Sequence, residues 1–335
     1  NLAMVNAGTE AITLRVTLFS GEAGDSRSTV LSPEIILEPG QWRQINSVLE
    51  KAGFTNGYAK IEPTSGVGPY LAYGVINDNV TNDGSYVAAV TTDRPADAQL
   101  VPVVVETGIF QSELVLTNPN NEVVTVVLTY QESLASTDSF GQVLSETLQA
   151  GEQKIIPNVL QYLRSKGVSI GPPGANYAGT LVVLASNGFG SNANVYAGVR
   201  TTSLATGGGH YGLFYSGVGR SELASHDAWI FGLRQNSSTR SNLAFVNLGG
   251  LVYQYEVYNG DTGAKVFTSE PIQLNPGGWT QINGVLAKAG VTNGYVRVFQ
   301  VSFDGQFLAY GVINDGATPT NGTNDGSYLS MTVIH

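Results

Sequence analysis

Two acidic turns hold the residues of this chain best suited to chemistry. Asn77-Asp78-Asn79 with Asn82-Asp83-Gly84 recurs as Asn314-Asp315-Gly316 with Asn324-Asp325-Gly326. Carboxylate and amide oxygens gathered in one loop are the ligands calcium prefers. Asp78, Asp83, Asp315 and Asp325 are therefore the candidate metal ligands, and calcium the candidate cofactor. The same residue types are also what tight turns demand, for steric reasons and for local hydrogen bonds. The spacing is not that of an EF-hand loop. The stretch between the two copies offers Ser186-Asn187-Gly188 and Ser191-Asn192 instead, without acids. Calcium binding and turn chemistry both stand at this stage.

Other chemistry finds less support. His210, His226 and His335 have no metal-ligand spacing to one another. No G-x-S-x-G elbow, P-loop or dinucleotide fingerprint is present. With no cysteine, disulfides, thiol catalysis and Cys-ligated zinc are excluded, although the compartment is not. A net charge of −10 argues against a nucleic-acid partner, which needs clustered Lys and Arg. No run of 18 apolar residues occurs, so no helix is expected to insert in a membrane. A hydrolase would need two carboxylates facing each other across a cleft. Trp42 and Trp279, with Tyr73 and Tyr310, hold equivalent places; exposed they would stack on sugars, buried they form core. Their recurrence favours core or helix docking, and Trp229 reads as core of its own strand. Three sequons, at Asn79, Asn236 and Asn321, fall in expected turns.

The elements that must position these residues come in copies. Gln44-Ile45-Asn46, Val48-Leu49, Lys51-Ala52-Gly53 and Thr55-Asn56-Gly57-Tyr58 recur with every number 237 higher, and residues 71–78 (LAYGVIND) return unchanged as 308–315. TNDGSY at 81–86 comes back at 323–328, after an insertion of five residues. A fixed period dictates architecture before any local motif is read. A more divergent copy lies between: Ala150-Gly151-Glu152-Gln153 leads to Ile155-Ile156-Pro157-Asn158-Val159-Leu160, as Pro39-Gly40-Gln41-Trp42 leads to 45–49. The order of elements gives three units, at 1–93, 94–203 and 204–335, in the pattern A-B-A.

Within each unit, short runs rich in Val, Ile, Thr and Tyr alternate apolar and polar residues between turn clusters, as in 12–19. That is the pattern of half-buried strands in an antiparallel β-sandwich. One short helix interrupts each unit: Asn46 is the expected cap of 47–52 with Gly53 as its stop, 283–290 repeats it, and 157–166 with Gly167 is the middle version. The second and third units open with a strand, at 98–106 and 228–235. The first begins at Asn1, directly at the second element, so its opening strand is missing. A start on Asn1-Leu2-Ala3-Met4-Val5, without initiator Met or basic n-region, reads as a processed or partial form of a longer precursor. Upstream residues could supply the strand; alternatively a neighbouring chain donates it, which would link subunits. On the second reading Asn1, Leu2, Ala3, Met4 and Val5 are subunit-contact residues. The donor would be the aromatic stretch 207–217, with Tyr211, Leu213, Phe214 and Tyr215; that stretch reads equally well as an inter-unit linker with aromatic anchors.

The arrangement L-x-PG-x-W-x-QIN-x-V, then NGY, then AYGVIND and NDGSY, preceded by a strand of the RSNLAFVN type, resembles a known kind of module. It is similar to the tandem immunoglobulin-like β-sandwich modules of large, mostly uncharacterised secreted or surface proteins of environmental bacteria. The resemblance covers the whole chain and brings no catalytic residues with it. It implies an extracellular or cell-surface setting and a structural or adhesive role. The expectation is thus an all-β chain of three tandem antiparallel immunoglobulin-like β-sandwich units, each with one short helix. Its expected function is that of a non-enzymatic subunit of a surface filament or assembly, self-associating into a homopolymer. The alternative is a carbohydrate-binding adhesin array with glycan partners.

Overall fold

The computed structural model describes residues 1–91, 98–135, 141–250, 252–301, 305–318 and 320–333; the boundary expected near 93 and His335 lie outside them. The described chain is mostly antiparallel β, as the alternating runs predicted. Its first part contains β1 (Leu2–Asn6), β2 (Ile12–Ser20), β3 (Ser28–Val30), β4 (Ile35–Leu37), β5 (Trp42–Ile45), α1 (Val48–Lys51), β6 (Gly57–Ser65), β7 (Tyr70–Asn77) and β8 (Gly84–Ala88). One sheet runs β5-β1-β7-β8; in the other, β2 carries β3 and β4 on one edge and β6 on the opposite one. Alternation decides which side faces in. Ile12, Leu14, Val16 and Leu18 of β2 are buried while Arg15 is exposed, and they meet Leu2 and Met4 of β1 in one apolar cluster.

The middle part comprises β9 (Ala98–Glu106), β10 (Phe110–Thr117), β11 (Val124–Glu132), β12 (Gln142–Leu148), β13 (Gln153–Ile156), α2 (Val159–Ser165), β14 (Tyr177–Asn187), β15 (Tyr196–Leu204), β16 (His210–Ser216) and β17 (Val218–Gly219). Two separate sheets were expected here. Instead the strands form one continuous sheet, β12-β11-β14-β9-β10-β15-β16, because β9 and β10 join through the single pair Glu106–Gln111. Both arms still share one core, from Val126 and Leu128 on one side to Leu116 and Val199 on the other. β15 and β16 form a hairpin turned by Gly208 and Gly209, both in the left-handed region that favours glycine. The boundary expected at 203/204 therefore falls inside a paired hairpin.

The last part opens with a 3-10 turn (Arg220–Glu222). It continues through β18 (Asp227–Arg234), β19 (Thr239–Asn247), β20 (Val252–Asn259), β21 (Lys265–Thr268), β22 (Ile272–Gln273), β23 (Trp279–Ile282), α3 (Val285–Lys288), β24 (Asn293–Gln300), β25 (Phe307–Asp315) and β26 (Gly326–Ser330). Its sheets, β23-β19-β25-β26 and β18-β24-β20-β21, repeat those of the first part with one addition. β24 is paired on both edges, by β18 and β20, whereas its counterpart β6 is paired by β2 alone among the described residues. The strand that the sequence shows as absent is the one corresponding to β18.

Helix capping departs from expectation at two of three places. Ser47 and Gly284 occupy the cap positions in left-handed conformation with no side-chain cap, and Asn46 Oδ1 accepts from Gln44 Nε2 instead. The amides of Ser47 and Gly284 donate to Asn1 Oδ1 and Asn242 Oδ1 respectively, both at 3.1 Å. A residue far off in sequence thus does the work assigned to a neighbour. Only Asn158 caps locally, accepting from the amide of Gln161.

Candidate functional site

Tertiary folding brings the two acidic turns together, and β16 is the strand between them. It pairs with β15 from Gly198–Ser216 to Leu204–His210 and lies against both β8 and β26. Asp78 Oδ1 accepts from the amides of Val80 and Thr81, closing its own turn, and Asp78 Oδ2 accepts from the amide of His210 at 2.9 Å. Asp83 Oδ2 accepts from the amide of Gly212 at 2.6 Å, and the Ser85 hydroxyl donates to the carbonyl of Gly212 at 2.9 Å. These side chains satisfy backbone groups that would otherwise lack partners on that side of β16. Arg200 adds a donor to Ser85 Oγ and lies 3.9 Å from Asp83.

The four candidate metal ligands part company here. Asp78 serves its own turn and the His210 amide, and Asp315 its own turn, where Asp315 Oδ2 accepts from both the amide and the hydroxyl of Thr323. Bonds from the Thr81 and Val80 amides hold the Asp78 carboxyl down to about 2, and the Thr323 amide likewise lowers Asp315. Asp83 and Asp325 share a hydrogen bond with each other. Among the described residues no group of three or more His, Cys, Asp or Glu is placed to hold a metal ion. Nor does the pair suit glycoside hydrolysis, which needs about 5 Å or more between its carboxyls for the sugar to enter. A cleft of about 610 Å³ opens nearby between Thr81, Leu204, Tyr211 and Thr323, but neither Asp83 nor Asp325 lines it.

Burial first, and the Asp83 carboxylate second, push the Asp325 carboxyl up to about 6. An acid raised in the folded state keeps its proton after the unfolded chain has lost it. Stability from this group is therefore full below pH ~4 and falls as pH rises through about 6. Asp325→Asn imitates the protonated form. It is expected to raise the thermal midpoint at pH 7.5, with the gap to the parent narrowing toward pH 4.5 and closing below pH ~4; parallel pH profiles would contradict the assignment.

The expected subunit contacts need correction. β1 is an interior strand, paired by β5 on one edge and β7 on the other, and Leu2, Ala3 and Met4 are buried. The missing strand belongs to the opposite sheet, so the open edge is on β6 and not at Asn1, Leu2, Ala3, Met4 or Val5. In the 207–217 stretch, Phe214 and Tyr215 are buried within their own chain and Tyr211 and Leu213 are half-buried. The anchored-linker alternative describes this segment better than a free donor.

A feature that the sequence did not reveal is a sheet face used once and left bare once. In the last part Leu308, Tyr310 and Val312, with Ala244 and Val246, pack on Leu100 and Val103 of β9, Tyr215 of β16 and Leu223, just after the 3-10 turn. Tyr215 sits edge-on to Tyr310 and Tyr328 at 5.6 and 5.5 Å. Trp279 Nε1 donates to Tyr310 Oη at 2.8 Å, and the Trp279 amide reaches Ser133 Oγ at 3.0 Å. The first part carries the same residues: Trp42 Nε1 donates to Tyr73 Oη at 3.0 Å, and Tyr73 lies 5.1 Å from Tyr86. Nothing among the described residues covers them: Leu71 is 64% exposed against 2% for Leu308, with Trp42 at 53% and Tyr86 at 57%. The core role expected of Trp42 is therefore not met. Trp229 is also an outer-face residue, half-buried among Phe231, Tyr258 and Tyr295.

No protein-family model matches the chain, and no curated protein matches it. Among solved structures it is similar to a Streptomyces avermitilis alpha-L-rhamnosidase complexed with L-rhamnose. That likeness has 10% sequence identity and a TM-score of 0.19 over 97% of this chain and 38% of that one. It carries no argument about fold or activity.

Proposed function

We propose that this chain is a non-enzymatic structural protein of the cell exterior, built of three immunoglobulin-like β-sandwich units and self-associating into a surface filament or assembly. The duplicated face carries this reading. Within the chain, one copy is covered by a β-sheet face and adds Leu308, Tyr310 and Val312 to a shared core. The other presents Leu71, Trp42 and Tyr86 to solvent, an apolar aromatic patch of the kind that marks protein contacts. The extracellular setting rests on the module resemblance.

Sedimentation velocity over about a hundredfold concentration range is the test, with Leu71→Asp beside the parent. The parent is expected to form large species, and the variant to need at least about tenfold more protein to do so. A parent that stays monomeric would remove the assembly reading. The same exposed Trp42, Tyr73 and Tyr86 favour the glycan-binding alternative, since sugar rings stack on aromatic faces. Saturable polysaccharide binding by a monomeric parent, lost in Trp42→Ala, would establish it instead.

A further inference from the structure

The cleft where the three parts of the chain meet carries hydroxyl groups that the fold does not use. Equivalent turns supply two of its sides, Val80 and Thr81 from the first part and Gly322 and Thr323 from the last. The β15–β16 hairpin contributes Ser203, its turn and Tyr211, and Ile109 enters from the turn between β9 and β10. At about 610 Å³ the cleft is of a size that holds small ligands, and junctions between units are where such sites form.

The hydroxyls along it are of two kinds. Thr81 Oγ1 donates to the His210 carbonyl at 3.0 Å and Thr323 Oγ1 to Asp315 Oδ2 at 2.7 Å, so both are committed to the fold. The hydroxyls of Ser203, Thr206 and Tyr211 have no hydrogen-bond partner among the described residues. Ser203 stands out among them. It is 3% exposed, on a strand paired on both edges, between Phe110 of β10 and Tyr211 of β16 in register. A serine hydroxyl so deep in a fold ordinarily finds a partner. Here the cleft is the side from which one can come.

The chemistry of the lining selects the ligand. Among the described residues no Asp, Glu, Lys, Arg or His lines the cleft, so an ionic ligand would lose hydration without meeting an opposite charge. A purely apolar ligand would leave the Ser203 and Tyr211 hydroxyls covered and unpaired, which is also costly. Apolar surface is nevertheless on offer: Leu204 is 74% exposed, Ile109 is 57% exposed, and the Tyr211 ring is half-buried. Apolar surface beside unused hydroxyls complements a pyranose ring, with C–H groups on its faces and hydroxyls round its edge.

We propose that this cleft binds a neutral saccharide, with the Ser203 and Tyr211 hydroxyls orienting the sugar and the Tyr211 ring and Leu204 covering its apolar face. The site is separate from the Trp42 face and does not depend on assembly.

Isothermal titration calorimetry of the full chain with maltotetraose, cellotetraose, mannotetraose and chitotetraose is the test, with anionic tetragalacturonate as the control. At least one neutral tetrasaccharide is expected to bind one to one with a Kd of about 1 mM or tighter, and the control not to saturate. Ser203→Ala and Tyr211→Phe each remove only a hydroxyl that the fold leaves unused. Each should weaken binding by about three- to tenfold while leaving the thermal midpoint unchanged or raised. No saturable binding by any neutral tetrasaccharide, or tighter binding of tetragalacturonate, would overturn the proposal. So would affinities within about twofold of the parent in both variants. Binding lost in Trp42→Ala and kept in both hydroxyl variants would move the sugar to the first part's aromatic face and remove the cleft. Cleft binding by a chain that stays monomeric would keep this site and remove self-assembly.

Discussion

Leu308→Ala is expected to destabilise the chain by about 2–5 kcal/mol, and Leu71→Ala, the same residue in the repeated LAYGVIND run, by no more than about 0.5 kcal/mol. The two leucines open the same eight-residue run, 71–78 and 308–315, and hold the same place on a strand. They differ only in what lies above them. Leu308 is packed among Leu100, Val103, Tyr215 and Tyr310, so its truncation removes apolar contact and leaves a cavity that a close-packed interface fills poorly. Leu71 is mostly in solvent. Urea denaturation at a concentration where the protein is monomeric is the measurement. Equal losses for the two variants would mean that the outer face of the last sandwich is not docked. Under conditions that favour assembly, Leu71→Ala should acquire a cost of its own, and that difference would measure the contact made there.

Glu132→Ala is expected to cost about 1–3 kcal/mol, the range for leaving buried donors without their acceptor. Glu132 lies at the end of β11 and is 8% exposed. Its Oε1 accepts from the amides of Ser133, Leu134 and Ala135 and, at 3.3 Å, from that of Ala178; its Oε2 accepts from the Tyr130 hydroxyl. Without the carboxylate the Ala135 amide and the Tyr130 hydroxyl lose this acceptor, while the Ser133 and Leu134 amides keep the Ala178 carbonyl, at 2.9 and 3.1 Å; unmade buried hydrogen bonds are costly. The segment that Glu132 ties down also presents Ser133 Oγ to the Trp279 amide, and the adjacent Gln131 donates to the Pro276 carbonyl at 2.6 Å. The loss should therefore extend to the docking of the last sandwich. Glu132→Gln retains an acceptor oxygen for the amides and should lose less. A Glu132→Ala midpoint within about 0.5 kcal/mol of the parent would show that water replaces the carboxylate.

Much of the fold was legible before any coordinate. The alternation in 12–18 selected the buried side of β2, and the 237-residue repeat matched β5, β6 and β7 with β23, β24 and β25. The absence of an opening strand, noticed as a gap in the repeat, appears as the single-edged pairing of β6. Alternation also shows why the middle sheet escaped. Period two reports which side of a strand is wet, and says nothing about whether Glu106 and Gln111 join two sheets into one. The helix caps were misread for a related reason. Asn46 and Asn283 are suitable types in suitable places, yet Asn1 and Asn242 approach through the sheet register and take the bond.

The candidate site divides along the same line. Sequence alone determined that the chain is a β-repeat protein, which acids sit in turns, and that the opening strand of the last copy has no counterpart in the first. These properties depend on local propensity and on comparing one stretch with another, and both are written in the order of residues. Only the tertiary structure decided that Asp83 and Asp325 meet beside β16, that Leu308 is covered while Leu71 is exposed, and that Gly311 lies against Ile230 and Leu233 while Gly74, among the described residues, has no such neighbours. Identical local sequences cannot differ in local preference. Their different burial comes from what the rest of the chain places against them, and that is a long-range property no single stretch carries.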